Sequence, residues 1–468
     1  MLDAVVIGSG PNGLAAAITL AQAGKSVRVI EGRPTIGGGA RTEELTEPGV
    51  LHDVCSAVFP LGVGSPFFSS LPLDQHGLEW AHPPIPFAHA LDDGDAVLIH
   101  RSLDQTAAGL GRDGDAWTKL FEPFVTDWDR TARLATAPPL RAIRTPLAGL
   151  RLARHGLRSG THLAERFTTE RARAAIAGIT AHAIAHFDTA AAGGVALVLG
   201  AAAHAVGWPF AKGGSGSITG ALAAFLEAQG GEIETGRWVR RLGDLPDTRV
   251  VLLDTSPPSA VSIAGERMTS GVRHRYRKRA KAPGVFKLDI VTDGSIPWTN
   301  EALRDAGTVH LGGTFDEIAA AEARIVAGEH PDRPFVLLAQ PLVADRARAP
   351  QGKDIAWAYC HVPVESETDM TEQTIGQVER FAPGFESQIR SMAIKGPRDL
   401  ETENPNYIGG DITGGPISLW GVISRPKLLN PYRAGDGVYL CSASTPPGSG
   451  VHGMCGHHAA NAALRDLR

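Results

Sequence analysis

An apolar, β-branched run from Asp3 to Gly8 (DAVVIG) opens the chain and reads as a short buried strand. A Gly-rich turn follows. Leu14 to Ala23 is then an Ala/Leu stretch of helical character, ended by Gly24. Ser26 to Glu31 (SVRVIE) is a second strand. A strand, a turn, a helix and a second strand in so few residues predict a parallel sheet.

The pattern changes between about residues 60 and 210. Pro and His become common, and helical stretches carry Trp117, Trp128 and many Arg. The Ala-rich stretch from Ala174 to Phe210 is broken by His182, His186, Asp188 and His204, so it reads as buried helices rather than a membrane span. A Gly-rich segment, Lys212 to Gly220, leads into an amphipathic helix, Ala221 to Gln229. Glu232 to Thr235 and Trp238 to Leu242 read as short strands, and Arg249 to Asp254 (RVVLLD) as a buried one. Ala282 to Pro363 is β-rich, and a Gly/Asn-rich loop spans Asn404 to Gly415. The strand Gly437 to Cys441 runs through a Gly-rich loop into a last Ala-rich helix.

Composition adds limits. The 468 residues suit two or three domains, and 43% hydrophobic with 20% charged residues is an ordinary globular balance. A net charge of −5 gives no electrostatic case for nucleic acid. The four cysteines, Cys55, Cys360, Cys441 and Cys455, form no CxxC pair, which predicts reduced thiols. With no basic, apolar leader and no apolar run of about 18 residues, the expectation is a cytoplasmic protein without a membrane span. The sequence does not specify an oligomeric state.

Three motifs carry chemistry. Gly8, Gly10, Pro11, Asn12 and Gly13 form a GxGxxG turn between strand and helix. Its glycines allow a tight turn, backbone approach to a diphosphate and close helix–strand packing, and the helix N-terminus offers N–H groups to phosphate. Glu31 ends the second strand, where an acid accepts hydrogen bonds from a ribose. Second, Gly32, Arg33, Gly38, Gly39, Ala40 and Arg41 follow at once; a Gly-rich turn with Arg here is foreign to a plain NAD fingerprint and would bring backbone and a guanidinium back to the cofactor. Third, Tyr439 to Leu464 is a strand, a Gly/Pro loop and a helix, with Ser442, Gly450, Val451, His452 and Gly453 in the loop. His452, Cys455, His457 and His458 suggest zinc when taken alone, but the loop has a better use and no second ligand pair stands out, so no metal is expected.

These motifs resemble those of the phytoene desaturase-related FAD oxidoreductases. The likeness runs over nearly the whole chain, through LHDVCSAVFP (Leu51 to Pro60), GWPFAKGGSGSITGAL (Gly207 to Leu222), VFKLD (Val285 to Asp289), AGTVHLGG (Ala306 to Gly313), WAYCHVP (Trp357 to Pro363) and NPNYIGGDITGG (Asn404 to Gly415). It looks closest to the pyridine nucleotide-disulfide oxidoreductase domain-containing proteins and to carotenoid ketolase- and isomerase-like members. The resemblance implies one non-covalent FAD, with the C-terminal loop at the isoalloxazine ring and Val239 near the adenine. It also implies an α/β fold: a parallel Rossmann-type FAD domain (1–60, 212–285 and 435–468) interleaved with a substrate domain of mixed sheet and helical cap (61–211 and 286–434). With no redox-active cysteine pair near the N-terminus, a disulfide reductase mechanism is not expected.

The expected reaction is dehydrogenation of a hydrophobic, lipid- or isoprenoid-like substrate by hydride transfer to flavin N5. Flavin amine oxidase-like chemistry, a redox-neutral isomerase and a flavin-bound regulatory protein are the alternatives. Lys287, Tyr359, His361 and His452 are the candidate catalytic residues. Lys287 reads equally as a strand lysine in an ion pair. Tyr359 and His361 share one strand face and could line a substrate pocket or simply be hydrogen-bonded in the sheet. Arg273 to Lys281 holds six Lys or Arg in nine residues. That is a solvated helix face or a contact with an anionic membrane surface.

Overall fold

The computed structural model describes residues 1–138, 146–418, 421, 426–427 and 429–468. The elements that position the site are, in chain order, β1 (Leu2–Ile7), α1 (Pro11–Gln22), β2 (Val27–Ile30), β3 (Ile85–Ala90), β4 (Ala96–Ile99), α2 (Glu170–Ala181), α3 (Gly216–Ala228), β5 (Glu232–Glu234), β6 (Thr248–Leu253), β7 (Gly284–Asp293), β8 (Ala306–Leu311), α4 (Phe315–Val326), β9 (Val336–Ala339), β10 (Lys353–Val362), β11 (Ile389–Lys395), β12 (Arg433–Gly435), β13 (Val438–Leu440) and α5 (Met454–Ala463).

The first sheet has the order β12-β13-β6-β1-β2-β5. Every neighbouring pair is parallel except β12–β13. Ala4 stands opposite both Val27 and Val250. Alternate residues of these strands enter two separate cores. Ala4, Val6, Val29 and Leu252 pack with α1, α3 and α5, while Val5, Ile7, Ile30 and Leu253 pack with the helix Pro257–Ala264. Burial on both faces is why these strands read as unbroken apolar runs.

The second sheet has the order β11-β7-β10-β9-β8-β3-β4 and is antiparallel except at β8–β3. Val285, Leu337, Trp357 and Tyr359 face a core shared with cap-helix residues such as Phe121, Ile176 and Leu197. Phe286, Leu288, Leu338 and Ala358 face the opposite core. Gly178 lets α2 lie on the sheet, since a Cβ there would stand 2.5 Å from His310 Nδ1. His182 Nε2 then comes within 3.1 Å of His310 Nε2.

The parallel sheet thus draws strands from residues 2–30, 232–253 and 433–440, and the second sheet draws its strands from the two stretches between them. The expected strand at Trp238–Leu242 is absent. The chain there folds back on the turn after β2 instead, with Gly236 N donating to Arg33 O at 2.8 Å and Arg237 N to Glu31 O at 2.9 Å. β5 forms the sheet's edge, and the backbone that leads into the segment is spent on the turn after β2 rather than on that edge.

Candidate functional site

A cavity of about 440 Å³ runs along the C-terminal ends of β1, β2 and β6, within the range of small-molecule sites. Gly8, Gly10, Pro11 and Asn12 line its middle. Gly13 does not line it; a side chain there would collide with Gly8 O, so Gly13 serves helix–strand packing. Gly10 has no room for one either, since its Cβ would meet Asp254 Oδ2 at 2.7 Å. Gly456 works similarly from the other side: any Cβ on it would strike Asn12 O, which is how closely α5 crosses the start of α1.

Glu31 is held rigidly. Its Oε2 accepts from Ser9 N at 2.9 Å and Ser9 Oγ at 2.7 Å, and its Oε1 accepts from Arg33 N at 2.9 Å. Gly32 lies under the Trp238 ring, which a Cβ would meet at 2.6 Å. Trp238 is 56% exposed and covers this end of the cavity, with Val239 buried beside it. Arg33 Nε is buried at the cavity wall and finds no partner among the described residues. Asn12 Oδ1 is a second such orphan.

The second Gly-rich turn packs on the first. Gly37 and Gly38 take left-handed φ of 117° and 58°, and a Cβ on Gly38 would stand 3.2 Å from Gly10 Cα. Gly39 and Ala40 line the cavity next to it. Arg41 also lines it, but its guanidinium holds the turn: it donates to Gly38 O at 3.1 Å, Glu43 at 2.9 Å and Glu403 at 2.6 Å.

At the far end Ser442, Gly450 and Val451 line the cavity. His452 and Gly453 do not. The His452 ring turns back to accept from Met454 N at 3.1 Å, capping α5, and burial lowers its pKa to about 4. Gly453 lies against Ala15 and the Phe67–Phe68 pair.

Lys287, Tyr359 and His361 lie outside the cavity lining, on the second sheet. Lys287 stands opposite Tyr359 in register and is ion-paired with Asp289; its Nζ lies 5.4 Å from the Trp357 ring centroid. Burial pushes the ammonium down and the carboxyl up, and each offsets the other. His361 Nδ1 lies 2.7 Å from Glu322 Oε1 on α4. Tyr359 and His361 do share a face, with ring centroids 5.5 Å apart.

Sequence reasoning missed two groups. Asp254, just past β6, faces the cavity and accepts from Gly13 N through Oδ2 at 2.9 Å. Enclosure away from bulk water, with Glu31 nearby, raises its carboxyl to about 7. The signal was present, since RVVLLD ends in an acid as SVRVIE does. Arg279, read only as part of the basic run, donates to Ser444 O at 2.8 Å and to Gly414 O, two residues of the cavity wall. Arg273 caps its own loop and Lys281 pairs with Glu365, which leaves Arg275, Arg277 and Lys278 as the exposed face.

A family model described as an NAD(P)-binding Rossmann-like domain matches residues 6–69. The chain is 26% identical over 553 aligned residues to pyridine nucleotide-disulfide oxidoreductase domain-containing protein 2 of Rattus norvegicus, covering 100% of this chain and 94% of that one. It is 26% identical over 277 residues to the neurosporene-forming phytoene desaturase of Rhodobacter capsulatus, covering 53% of this chain and 51% of the relative. Among solved structures it is similar to an oxidoreductase from Methanosarcina mazei, with TM-score 0.66 and 14% identity, covering 99% of this chain and 100% of that one. It is also similar to cyclohexylamine oxidase from Brevibacterium oxydans, with TM-score 0.61 and 15% identity, covering 100% and 99%. The structural likenesses bear on fold, which is that of the amine oxidase-like flavoenzymes. The chain is thus homologous over its full length to the rat protein and over about half its length to the phytoene desaturase, and it carries a dinucleotide-binding Rossmann-like domain. Among the described residues, no helix is long and apolar enough to cross a membrane.

Proposed function

We propose that this cavity holds FAD non-covalently and that the protein dehydrogenates a hydrophobic, isoprenoid- or lipid-like substrate at the ring end. One observation carries the reading: a single cavity joins the Glu31 end, the Gly8–Gly13 turn and the Gly450–Val451 loop. That layout suits an extended dinucleotide, and the second Gly-rich turn with Arg41 and the Gly450–Val451 loop, which also line it and are foreign to a plain NAD fingerprint, favour FAD. The residues fit the group, since Gly10 and Gly38 let the two turns pack closely along the cavity wall and the Arg33 Nε, which finds no partner among the described residues, offers a charged donor.

When bound, FAD would supply a hydride acceptor at flavin N5. Glu31 would hold the ribose hydroxyls, the α1 N-terminus the diphosphate, and the Gly450–Val451 backbone the flat ring. The positive end of α5 lies behind that loop and would favour negative charge on the ring. Tyr407 and Ile412 line the cavity and belong to the same apolar cluster as Trp357, Tyr359 and the cap helices. This surface would orient an apolar chain and keep water away, which matters more to hydride transfer than an acid or base. The partial likeness to a phytoene desaturase supports the substrate class.

The absorption spectrum of purified protein, before and after denaturation, tests the cofactor: a flavin band and released FAD are expected. Anaerobic mixing with terpenoid and carotenoid hydrocarbons should then bleach that band. Bleaching by amines alone would turn the reading to an amine oxidase, and bleaching by light but by no compound would favour a regulatory flavoprotein. For the exposed Arg275, Arg277 and Lys278 we propose peripheral contact with anionic membrane. Sedimentation with anionic vesicles, lost at high salt, is the expected result; no sedimentation leaves these residues as a solvated face.

A further inference from the structure

Asp254 places a carboxyl group where the proposed cofactor brings two phosphate charges. Its Oδ2 takes the Gly13 N–H at 2.9 Å, an amide at the N-terminal turn of α1. The same oxygen stands 2.7 Å from the point where a Gly10 side chain would begin. The carboxyl therefore lies on the backbone that a GxGxxG turn keeps clear for a diphosphate. Its backbone is fixed on both sides: Asp254 N donates to Ile7 O at 2.8 Å, and Asn406 Nδ2 donates to Asp254 O at 3.3 Å. An ionised carboxylate so placed would repel the cofactor. A carboxylic acid would not, because it carries a donor as well as an acceptor.

We propose that Asp254 is a proton-dependent ligand of the dinucleotide: as the neutral acid it keeps the Gly13 N–H on one oxygen and donates its own proton from the other to a phosphate oxygen. This rests on the FAD reading above and names a ligand that reading leaves out. Binding at a pH where the empty site is ionised then takes up one proton, which ends on Asp254, between carboxyl and phosphate. No other atom changes hands.

The groups facing Asp254 are few. The turn before α1 and the start of α1 meet it through Gly8, Gly10 and Gly13. β2 presents Glu31, whose charge opposes ionisation of Asp254. β13 leads into Cys441, whose thiol burial holds neutral, well above its ordinary value. Arg33, Arg41, Arg237, Arg240 and Glu403 are the charged groups elsewhere on the cavity wall. Burial, with the Glu31 charge beside it, pushes the Asp254 carboxyl up to about 7, and two phosphate charges would raise it further. Affinity is therefore full below that value and falls as pH rises above it, by up to tenfold per pH unit, until the carboxyl of the loaded protein also ionises.

The test is FAD titration of the full-length, flavin-stripped protein at about pH 6 and about pH 8.5, a range in which the diphosphate stays ionised, followed by flavin fluorescence. Wild type should bind more than tenfold more weakly at the higher pH. Asp254→Asn, which keeps an acceptor and a donor at every pH, should bind alike at both and more tightly than wild type at the higher one. Calorimetry of wild type in two buffers of different ionisation enthalpy should show proton uptake on binding at the higher pH, and it needs no variant to fold. Equal pH profiles for wild type and Asp254→Asn, or no proton uptake, overturns the inference and leaves the FAD reading intact. Failure of wild type to bind FAD at either pH overturns both.

Discussion

A methyl group at Gly10 would sit 2.7 Å from Asp254 Oδ2, and both residues line the cavity. Gly10→Leu should therefore give a folded protein that purifies without flavin, checked by its absorption spectrum; full retention would remove the diphosphate from this turn. Gly456→Val should instead damage the fold, since a side chain there meets Asn12 O and must part α5 from α1. Its thermal midpoint should drop whether or not FAD is added. The Lys287–Asp289 pair is a third single-residue case. Both members are buried, so removing either strands a charge, and Lys287→Met should cost about 3–5 kcal/mol in denaturant unfolding. The double variant Lys287→Met/Asp289→Leu should cost less than the two singles added together. Simple additivity would mean the pair is not coupled in solution.

Elements show why some of this was legible in the sequence and some was not. β1, β2 and β6 are covered on both sides, so their apolar runs were readable without context, and the glycines between β1 and α1 gave the turn. The Trp238 segment has the same local character as a short strand. Whether it becomes one depends on a free sheet edge, which no local pattern reports, and the chain laid it across Gly32 instead. Arg41 was expected at the cofactor and does line the cavity, yet Glu43 and Glu403 hold its guanidinium; Glu403 lies 362 residues away in sequence. The same distance in sequence hid Asp254, whose partner Gly13 is 241 residues away. His452 is expected beside the cofactor because its loop lines the cavity, but the orientation of its imidazole follows from capping α5, a choice made by one backbone N–H.

For the molecule as a whole, buried histidines set the response to acid. Burial lowers His89, His204 and His452 each to about 4. In the unfolded chain such side chains take up protons below about 6.5. The unfolded state thus binds more protons as pH falls, and stability present above about 6.5 is lost progressively down to about 4, by up to about 1.4 kcal/mol per pH unit for each histidine. Denaturant midpoints measured from pH 7 downward should fall steeply across that window. A flat profile would mean these rings are accessible to solvent.

β1 finds its neighbours in β2, made almost at once, and in β6, which arrives some two hundred residues later; β6 in turn waits for β13. A nascent chain therefore makes the Gly8–Gly13 turn long before residues 438–463, which close the same cavity, have left the ribosome. FAD would arrive as the last component of assembly, acting as a clasp between segments synthesised far apart in time. Translation halted just before Gly437 would yield a polypeptide that holds every glycine of the first turn and captures no flavin.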